Sequence, residues 1–333
     1  MAKTIDEIAK ETGFSITTVK LVVNDKAKQY RISDKTQKKI KDYVEQHGIT
    51  INQAARSLKL NKTNTLGLVL PRLTNVFFSS LTEWLEQRCH DNGYQLITVC
   101  SESDPEREKE VTRNLIARGV DGLFIVPSWE KQQIQSIKDA KNKPLVFLDR
   151  NFEVQGQSTV VTDNYAGFLE LSKRILKKSV SEIYVISGDS DLPSIKSRLQ
   201  GFVDAHKELE KELTQGWIRT VPHNRVNDGF EGMKILNDEL KRIPEAIVFS
   251  SLPILEGALH YLKLHHGVIP SQLVIGTFDD HTMLEFLPNP TISVEQDAKS
   301  IAENACTLMH NLLKNKSAEA VNCVIKPKII SRD

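Results

Sequence analysis

The chain has 333 residues, 44 Lys+Arg against 43 Asp+Glu, 40% hydrophobic and 26% charged residues, and four cysteines. That length exceeds one ordinary hydrophobic core and calls for two or three units, and the composition is that of a soluble globular protein rather than a disordered or fibrous one. The start "MAKTIDEIAK" lacks the apolar run of a signal peptide, no stretch approaches the ~18 apolar residues of a membrane span, and Cys89, Cys100, Cys306 and Cys323 form no CxxC pair; a cytoplasmic location is expected, with no membrane partner, structural zinc or disulfide.

The near-neutral total hides an asymmetry. Residues 1–62 hold 13 basic against 7 acidic side chains, which leaves 31 against 36 for the rest. A basic head on a mildly acidic body is the electrostatic footprint of a polyanion-binding module joined to a domain with another task. In chain order, the head opens with Thr4 at an N-cap position and Glu7 at capping-box spacing, with an apolar stripe of Ile5, Ile8 and Ala9. Gly13 ends that helix. Ser15 caps a second one in which Val19, Val22 and Val23 face inward and Ile16, Thr17, Lys20 and Leu21 face outward. Two helices this short bury no core alone, and a third, "SDKTQKKIKDYVEQH", supplies Ile40, Tyr43 and Val44 to pack on them. The pattern predicts an all-α helix-turn-helix head over residues 1–51. In the following "INQAARSLKLNK", Asn52 is placed to cap a short helix with Ala54, Ala55 and Leu58 on one side and Arg56 and Lys59 on the other. Isolated helices below ~12 residues are marginal, so this one is expected to fold only against a partner; residues 52–65 are assigned to it and a linker.

From Leu66 onward, "LGLVLP", "YQLITVC", "GLFIVP", "PLVFLD", "EIYVISG", "AIVFSS" and "LVIGTFD" are short apolar runs suited to strands buried on both faces, separated by longer amphipathic helical segments. The alternation predicts an α/β body over 66–333 made of two doubly wound parallel-sheet subdomains. Residues 66–163 and 294–326 are assigned to the first and 164–293 to the second, with the chain crossing near Asp163, returning near Ser293 and finishing in the first. Ligands in such folds bind beyond the carboxyl ends of strands, between subdomains. That rule gathers Asn75, Phe77, Ser101, Asp149, Arg150, Asp163, Asn164, Ser194, Arg198, Ser251, Asp279 and Asp280 around one cleft. Carboxylates and amides suit adjacent sugar hydroxyls, and arginine gives a forked contact to an anionic group.

Several motifs taken together resemble the LacI family of bacterial transcription repressors: "TIDEIAKETGFSITTVKLVVN", "SDKTQKKIKDYVEQHG" and "NQAARSLKLNKTNTLGLVLP", then "HDNGYQLITVCSE", "RGVDGLFIVP", "VVTDNYAG", "RLQGF" and "IGTFDD". The insertion "NDKAKQYRISDKT" is similar to that of the branch holding the fructose (catabolite) and sucrose operon repressors. The resemblance implies a periplasmic-binding-protein-like body behind a DNA-binding head whose second helix enters the major groove of double-stranded operator DNA. By position, Ile16, Thr17, Lys20 and Leu21 are its base readers, with Thr4, Ser15, Thr18 and Asn24 beside them. It makes the short helix in "INQAARSLKLNK" a hinge helix, paired with a second copy in the minor groove, where Leu58 wedges between base pairs and Asn52, Ala55, Arg56 and Lys59 support it. The proline usual before the hinge asparagine is Ile51 here. In the body, Arg198 and Asp279 match the family's effector-binding arginine and aspartate, while Arg150 and Gln296 match additional sugar-phosphate contacts of the branch. Ser251 and Asn224 replace residues found elsewhere in the family, which leaves the sugar open between fructose 1-phosphate and fructose.

The resemblance also implies a homodimer formed through the first subdomain, along "FFSSLTEWLEQRCHDNG". The end "IKPKIISRD" carries no leucine-heptad tail, so a tail-mediated tetramer is not expected, while a tetramer by another route stays open. No cofactor, metal site or enzymatic activity is expected. The string "SGDSD" (187–191) contains the Gly-Asp-Ser of one hydrolase class and His260, His265 and His266 offer a base, yet nothing fixes an aspartate and histidine at partner positions. A periplasmic-type sugar receptor shares the expected body fold, but the basic head and the missing signal peptide argue against it.

Overall fold

The computed structural model describes residues 2–48, 62–315 and 319–332, and the chain divides into two units, Met1–Thr63 and Asn64–Asp333. In the first unit, helix α1 (Ile5–Thr12) starts with a reciprocal capping box: the Glu7 N–H donates to Thr4 Oγ1 at 3.3 Å and the Thr4 N–H to Glu7 Oε2 at 2.7 Å. Gly13 ends it at φ 76°, a left-handed conformation open to a residue without Cβ. Helix α2 (Ile16–Val23) begins at Ser15, whose Oγ accepts from the Thr18 N–H at 3.1 Å, and α3 (Asp34–His47) at Ser33, whose Oγ accepts from the Thr36 N–H at 3.3 Å. Ile8, Ala9, Val19, Val22 and Ile40 are buried together, joined by Ala27 from the inserted segment after α2.

The second unit holds two six-stranded sheets. The first contains β1 (Thr65–Leu70), β2 (Gln95–Cys100), β3 (Gly122–Ile125), β4 (Leu145–Leu148), β5 (Ser158–Thr162) and β11 (Asn322–Ile325), in the order β11-β5-β4-β3-β1-β2. The second contains β6 (Ile183–Ser187), β7 (Ile218–Thr220), β8 (Ala246–Phe249), β9 (Val274–Phe278), β10 (Thr291–Glu295) and β12 (Lys328–Arg332), in the order β12-β10-β9-β8-β6-β7. The two orders correspond position by position, β1 to β6 and β4 to β9, and every pairing is parallel except that of β12 with β10.

Strand alternation decides what covers each face. Leu66, Leu68 and Phe124 share a core with helices α4 (Val76–Asp91) and α11 (Ala298–Lys314), whereas Val69, Leu123 and Ile125 point to the side of α5 (Pro105–Ala117) and α6 (Glu130–Ala140). In the second sheet, Ile183 and Val185 pack with α7 (Asn164–Leu176) and α8 (Pro193–Glu208), while Tyr184 and Ile186 pack with α9 (Val226–Leu240) and α10 (Leu252–His266). Sheets buried on both faces need the continuous apolar runs that the sequence displays.

Two expectations need correction. The chain returns after Glu295 rather than at Ser293, because Ser293 and Val294 are paired with Thr277 and Phe278 inside β10. It also does not finish in the first subdomain: after β11 it crosses again, and β12 adds antiparallel to β10, with Lys328 opposite Glu295. Among the described residues, no helix is long and apolar enough to cross a membrane.

Candidate ligand-binding cleft

Between the carboxyl ends of the two sheets lies a cavity of about 380 Å³, the position such open sheets leave for ligands. Of the residues read from the sequence, Asn75, Phe77, Asp149, Arg150, Ser194, Arg198, Asn224, Ser251, Asp279 and Gln296 line it. Local structure sets each one. Asn75 caps α4, its Oδ1 accepting from the Phe77 N–H at 3.0 Å, so both are fixed at the helix start. Ser194 and Arg198 lie about one turn apart on α8, which Pro193 opens. Asp149 and Asp279 follow the corresponding strands β4 and β9, and both have left-handed backbone, with φ of 63° and 73°. Aspartate tolerates that region better than most residues, and backbone strain of this kind clusters at functional sites.

Four charges are buried together: Asp149, Arg150, Arg198 and Asp279 are 7%, 6%, 4% and 6% exposed. Burial pushes the Asp149 carboxyl up from its ordinary range, against the pull of Arg150 and Arg198, and pushes both guanidinium groups down, against the support of the aspartates. Arg198 is held from three sides. Its Nε donates to Asn164 Oδ1 at 2.8 Å, its Nη1 donates to the Ser250 carbonyl at 2.6 Å, and its guanidinium carbon lies 3.5 Å from the centre of the Phe278 ring. Arg150 Nη1 donates to the Pro127 carbonyl at 3.1 Å, and its Nε lies 3.5 Å from Asp149 Oδ2. Gln296, on the returning segment, joins the subdomains: its Nε2 donates to Asp279 Oδ1 and its Oε1 accepts from Thr162 Oγ1, both at 2.6 Å. The Ser251 hydroxyl is 3.5 Å from Asn224 Oδ1.

Four expected residues stand apart from the cavity, among them Asn164, whose Oδ1 is taken by Arg198. Ser101 is fully buried and donates to the Leu70 carbonyl. Asp163 is spent as the N-cap of α7, accepting from the Ala166 N–H at 2.9 Å. Asp280 is paired with Arg332 at 2.8 Å and accepts from Ser293, a tie between β10 and β12. Conversely, Arg72, Glu102, Asp189, His223 and Arg225 line the cavity and were missed. All follow strands, so the carboxyl-end rule was sufficient for Arg72, Glu102 and Asp189. His223 and Arg225 follow β7, a three-residue edge strand without an apolar run.

Among the described residues, the cavity offers hydrogen-bonding groups and forked cations, and no serine hydroxyl lining it is hydrogen-bonded to a histidine. Ser190, the serine of the Gly-Asp-Ser string, is exposed after β6 and does not line the cavity, and His260, His265 and His266 contact the rings of Phe230 and Tyr261 on α9 and α10. Among the described residues, no group of His, Cys, Asp or Glu is arranged to hold a metal ion.

In the first unit, Ile16 is 43% exposed, Thr17 and Lys20 are exposed beside it, and Leu21 is half-buried. Thr4 and Ser15 are engaged as helix caps, the half-buried Thr18 hydroxyl lies 2.8 Å from that of Ser15, and Asn24 Nδ2 donates to the Lys20 carbonyl at 2.7 Å. Asn52, Ala55, Arg56, Leu58 and Lys59 lie outside the described residues.

Residues 66–317 match the family model described as a periplasmic binding protein domain. The chain is 32% identical over 316 residues to the fructose operon regulatory protein of Vibrio cholerae, covering 92% of this chain and 93% of that one. It is 30% identical over 316 residues to the sucrose operon repressor of Klebsiella pneumoniae, covering 95% and 94%. Among solved structures, it is similar to the Cra transcriptional dual regulator of Pseudomonas putida in complex with fructose 1-phosphate, with a TM-score of 0.75 and 26% identity over 81% of this chain and 99% of that one. These relatives are transcription regulators, not enzymes.

Proposed function

Because the chain belongs to the LacI family of bacterial transcription repressors, we propose that it represses a sugar-utilisation operon and is released or tightened by a sugar or sugar phosphate held in the cleft, with fructose 1-phosphate first and fructose second. The observation that carries the effector reading is the pair of buried arginines, Arg150 and Arg198, beside Asp149 and Asp279. Guanidinium forks suit an anionic group and carboxylates and amides suit hydroxyls, so this set matches a hydroxylated ligand with an anionic end. The complex of the Pseudomonas putida relative supports the same choice. Arg150 and Arg198 take the anionic end, while Asp149, Asp279, Gln296, Asn224 and Ser251 face hydroxyls, with Asn75, Phe77 and Ser194 closing the walls.

The first unit is the DNA-binding helix-turn-helix. Ile16, Thr17, Lys20 and Leu21 on α2 read bases in the major groove of operator DNA, where Thr17 and Lys20 supply hydrogen bonds and Ile16 and Leu21 apolar contact, for instance to a thymine methyl. Thr4, Ser15, Thr18 and Asn24 adjoin that face. The segment beginning at Asn52 acts as hinge helix and linker ahead of β1, with Leu58 as the minor-groove wedge and Asn52, Ala55, Arg56 and Lys59 around it. A two-fold operator needs two heads, so the working unit is at least a homodimer in the cytoplasm. The test is an anisotropy titration on promoter fragments with and without sugars. Specific binding that weakens steeply with salt and changes on adding fructose 1-phosphate is expected, and Arg150→Ala should weaken fructose 1-phosphate far more than fructose. Absence of operator binding at low salt in both free and liganded chains would sink the repressor reading; tight binding of a purine or an amino acid would sink the sugar.

A further inference from the structure

One layer behind the cavity wall, the buried faces of α5 and α6 are polar over their first two turns, where an apolar seam is the rule, and turn apolar only further on, at Leu115 and Ala140. Glu108 and Thr112 from α5 and Gln132, Gln133 and Ser136 from α6 are all buried, and Glu108 is fully so. Glu108 Oε1, Thr112 Oγ1, Gln132 Nε2, Gln133 Nε2 and Ser136 Oγ find no hydrogen-bond partner among the described residues. Natural interiors leave few such groups, and those that occur call for an explanation. Glu108 connects this layer to the cavity. Its Oε2 accepts from the Ser128 N–H at 2.6 Å, and Ser128 lines the cavity. The charge acting on the carboxylate from the elements around it is that of Arg150, at the end of β4. Ser128 and the buried α6 side chains are uncharged, Lys109 on the same helix is turned to Glu106 at 3.3 Å, and Glu110 is exposed. Arg150 in turn has Asp149 and Asp189 acting on it besides Glu108.

We infer that Glu108 is a positioning residue for the anionic end of the cavity, holding the Ser128 amide and sharing Arg150 with the bound ligand, so that an anion engaging Arg150 drives a proton onto Glu108. This rests on reading the cavity as a sugar-phosphate site. In the free protein, burial pushes the Glu108 carboxyl up to about 7, while the Ser128 bonds and Arg150 pull it down. An anion on Arg150 cancels part of that pull and brings a like charge near, which raises the group further. Protonation and anion binding then favour each other. Affinity for the phosphorylated ligand rises as pH falls toward about 7 and stops rising below it; a neutral sugar leaves Arg150 as it was and lacks this dependence. Glu108 thereby makes the preference for a phosphorylated over a free sugar depend on pH.

The experiment is calorimetric titration of the full chain with fructose 1-phosphate, in buffers of different ionisation heat and at pH 6.5 to 8.5, for the parent and Glu108→Gln. The ligand's own phosphate titrates identically in both and cancels. The parent should take up more protons than the variant, and the ratio of their affinities should change about threefold or more across the range, the effect of a half-unit shift on binding. With fructose the two proteins should keep one ratio throughout. Equal proton counts and parallel pH profiles would overturn the inference while leaving the cavity reading intact. No binding of fructose 1-phosphate by the parent at any pH would overturn both. Should Glu108→Gln fail to fold, sulfate, which does not titrate in this range, serves as the probe on the parent alone: competition with fructose 1-phosphate accompanied by proton uptake is expected, and competition without it overturns the inference.

Discussion

Replacing Arg198 with methionine keeps an unbranched side chain on α8 while removing the charge and the fork. In the parent, two hydrogen bonds fix the guanidinium, to Asn164 Oδ1 at 2.8 Å and to the Ser250 carbonyl at 2.6 Å, and the Phe278 ring backs it at 3.5 Å. An anionic ligand therefore meets a donor that is already oriented, and a charge-assisted contact of this kind contributes ~1.5–3 kcal/mol. The variant should bind fructose 1-phosphate roughly 10- to 150-fold more weakly. Breaking a buried charge set from one side costs ~3–5 kcal/mol of stability when the remaining charge has no outlet. Here the outlet is Asp149: burial already raises its carboxyl, Arg198 opposes that rise, and without Arg198 it goes higher and takes a proton more readily. The stability loss should fall below that range, and the gap in Tm between parent and variant should narrow as pH falls, because a protonated Asp149 no longer gains from Arg198. Operator binding without ligand should be unchanged, since the head is a separate unit. Calorimetry of the full chain, thermal melts against pH and operator anisotropy check the three parts. A folded Arg198→Met chain that binds fructose 1-phosphate within about twofold of the parent would refute the assignment of Arg198, that margin being only ~0.4 kcal/mol.

Lys20→Ala should leave the melting temperature unchanged, because Lys20 is exposed on α2, but should alter base preference in a binding-site selection; an unchanged preference would remove Lys20 from the readers. Leu58→Ala should leave the fold and dimer intact yet lower operator affinity and DNA bending, as removal of a minor-groove wedge does; equal bending by parent and variant would make Leu58 a linker residue only. Arg332→Ala breaks the pair with Asp280 at 2.8 Å and the contact with Ser293 at 3.0 Å. It should cost ~1.5–3 kcal/mol in denaturant unfolding, the range for hydrogen bonds to charged groups, while ligand affinity stays the same; a tenfold loss of affinity would return Asp280 to the cleft.

Six of the seven legible strands are central and buried on both faces, which requires continuous apolar runs, while β2, a half-buried edge strand, was legible from its own apolar run. The strands that escaped notice carry their polarity inside or lie at edges. In β5 and β10, Ser158, Thr159, Thr162, Thr291 and Ser293 are buried, so a search for apolar runs passes over them although their backbone pairing is complete. Strands β7, β11 and β12 are edge strands with exposed positions, where pairing rather than hydrophobicity decides the structure. Antiparallel addition of β12 is a tertiary event with no local signature. In the cleft, the rule that ligands meet strand ends found the buried Asp149, Arg150, Arg198 and Asp279, but it does not say which way a residue at a strand end turns. Ser101 and Asp280 obey the rule and are taken up by Leu70 and Arg332 instead.

The correspondence of β4 with β9 gives the cleft its mechanical logic. Asp149 and Arg150 belong to the first sheet and Asp279 to the second, with Arg198 beside it on α8. Gln296 bonds Asp279 on one side and Thr162 on the other. A ligand whose anionic end meets Arg150 and Arg198 while its hydroxyls meet Asp279 gains all its contacts only when both subdomains present them together, so it selects one relative arrangement of the two. A ligand shifts such an equilibrium by no more than its differential affinity for the two states, and the coupling typical of allosteric proteins is ~1–3 kcal/mol. One charge-assisted contact made in only one arrangement contributes ~1.5–3 kcal/mol, which is enough. Fructose without its phosphate lacks the contact at Arg150, binds more evenly to both arrangements, and should therefore be the weaker effector even at saturation.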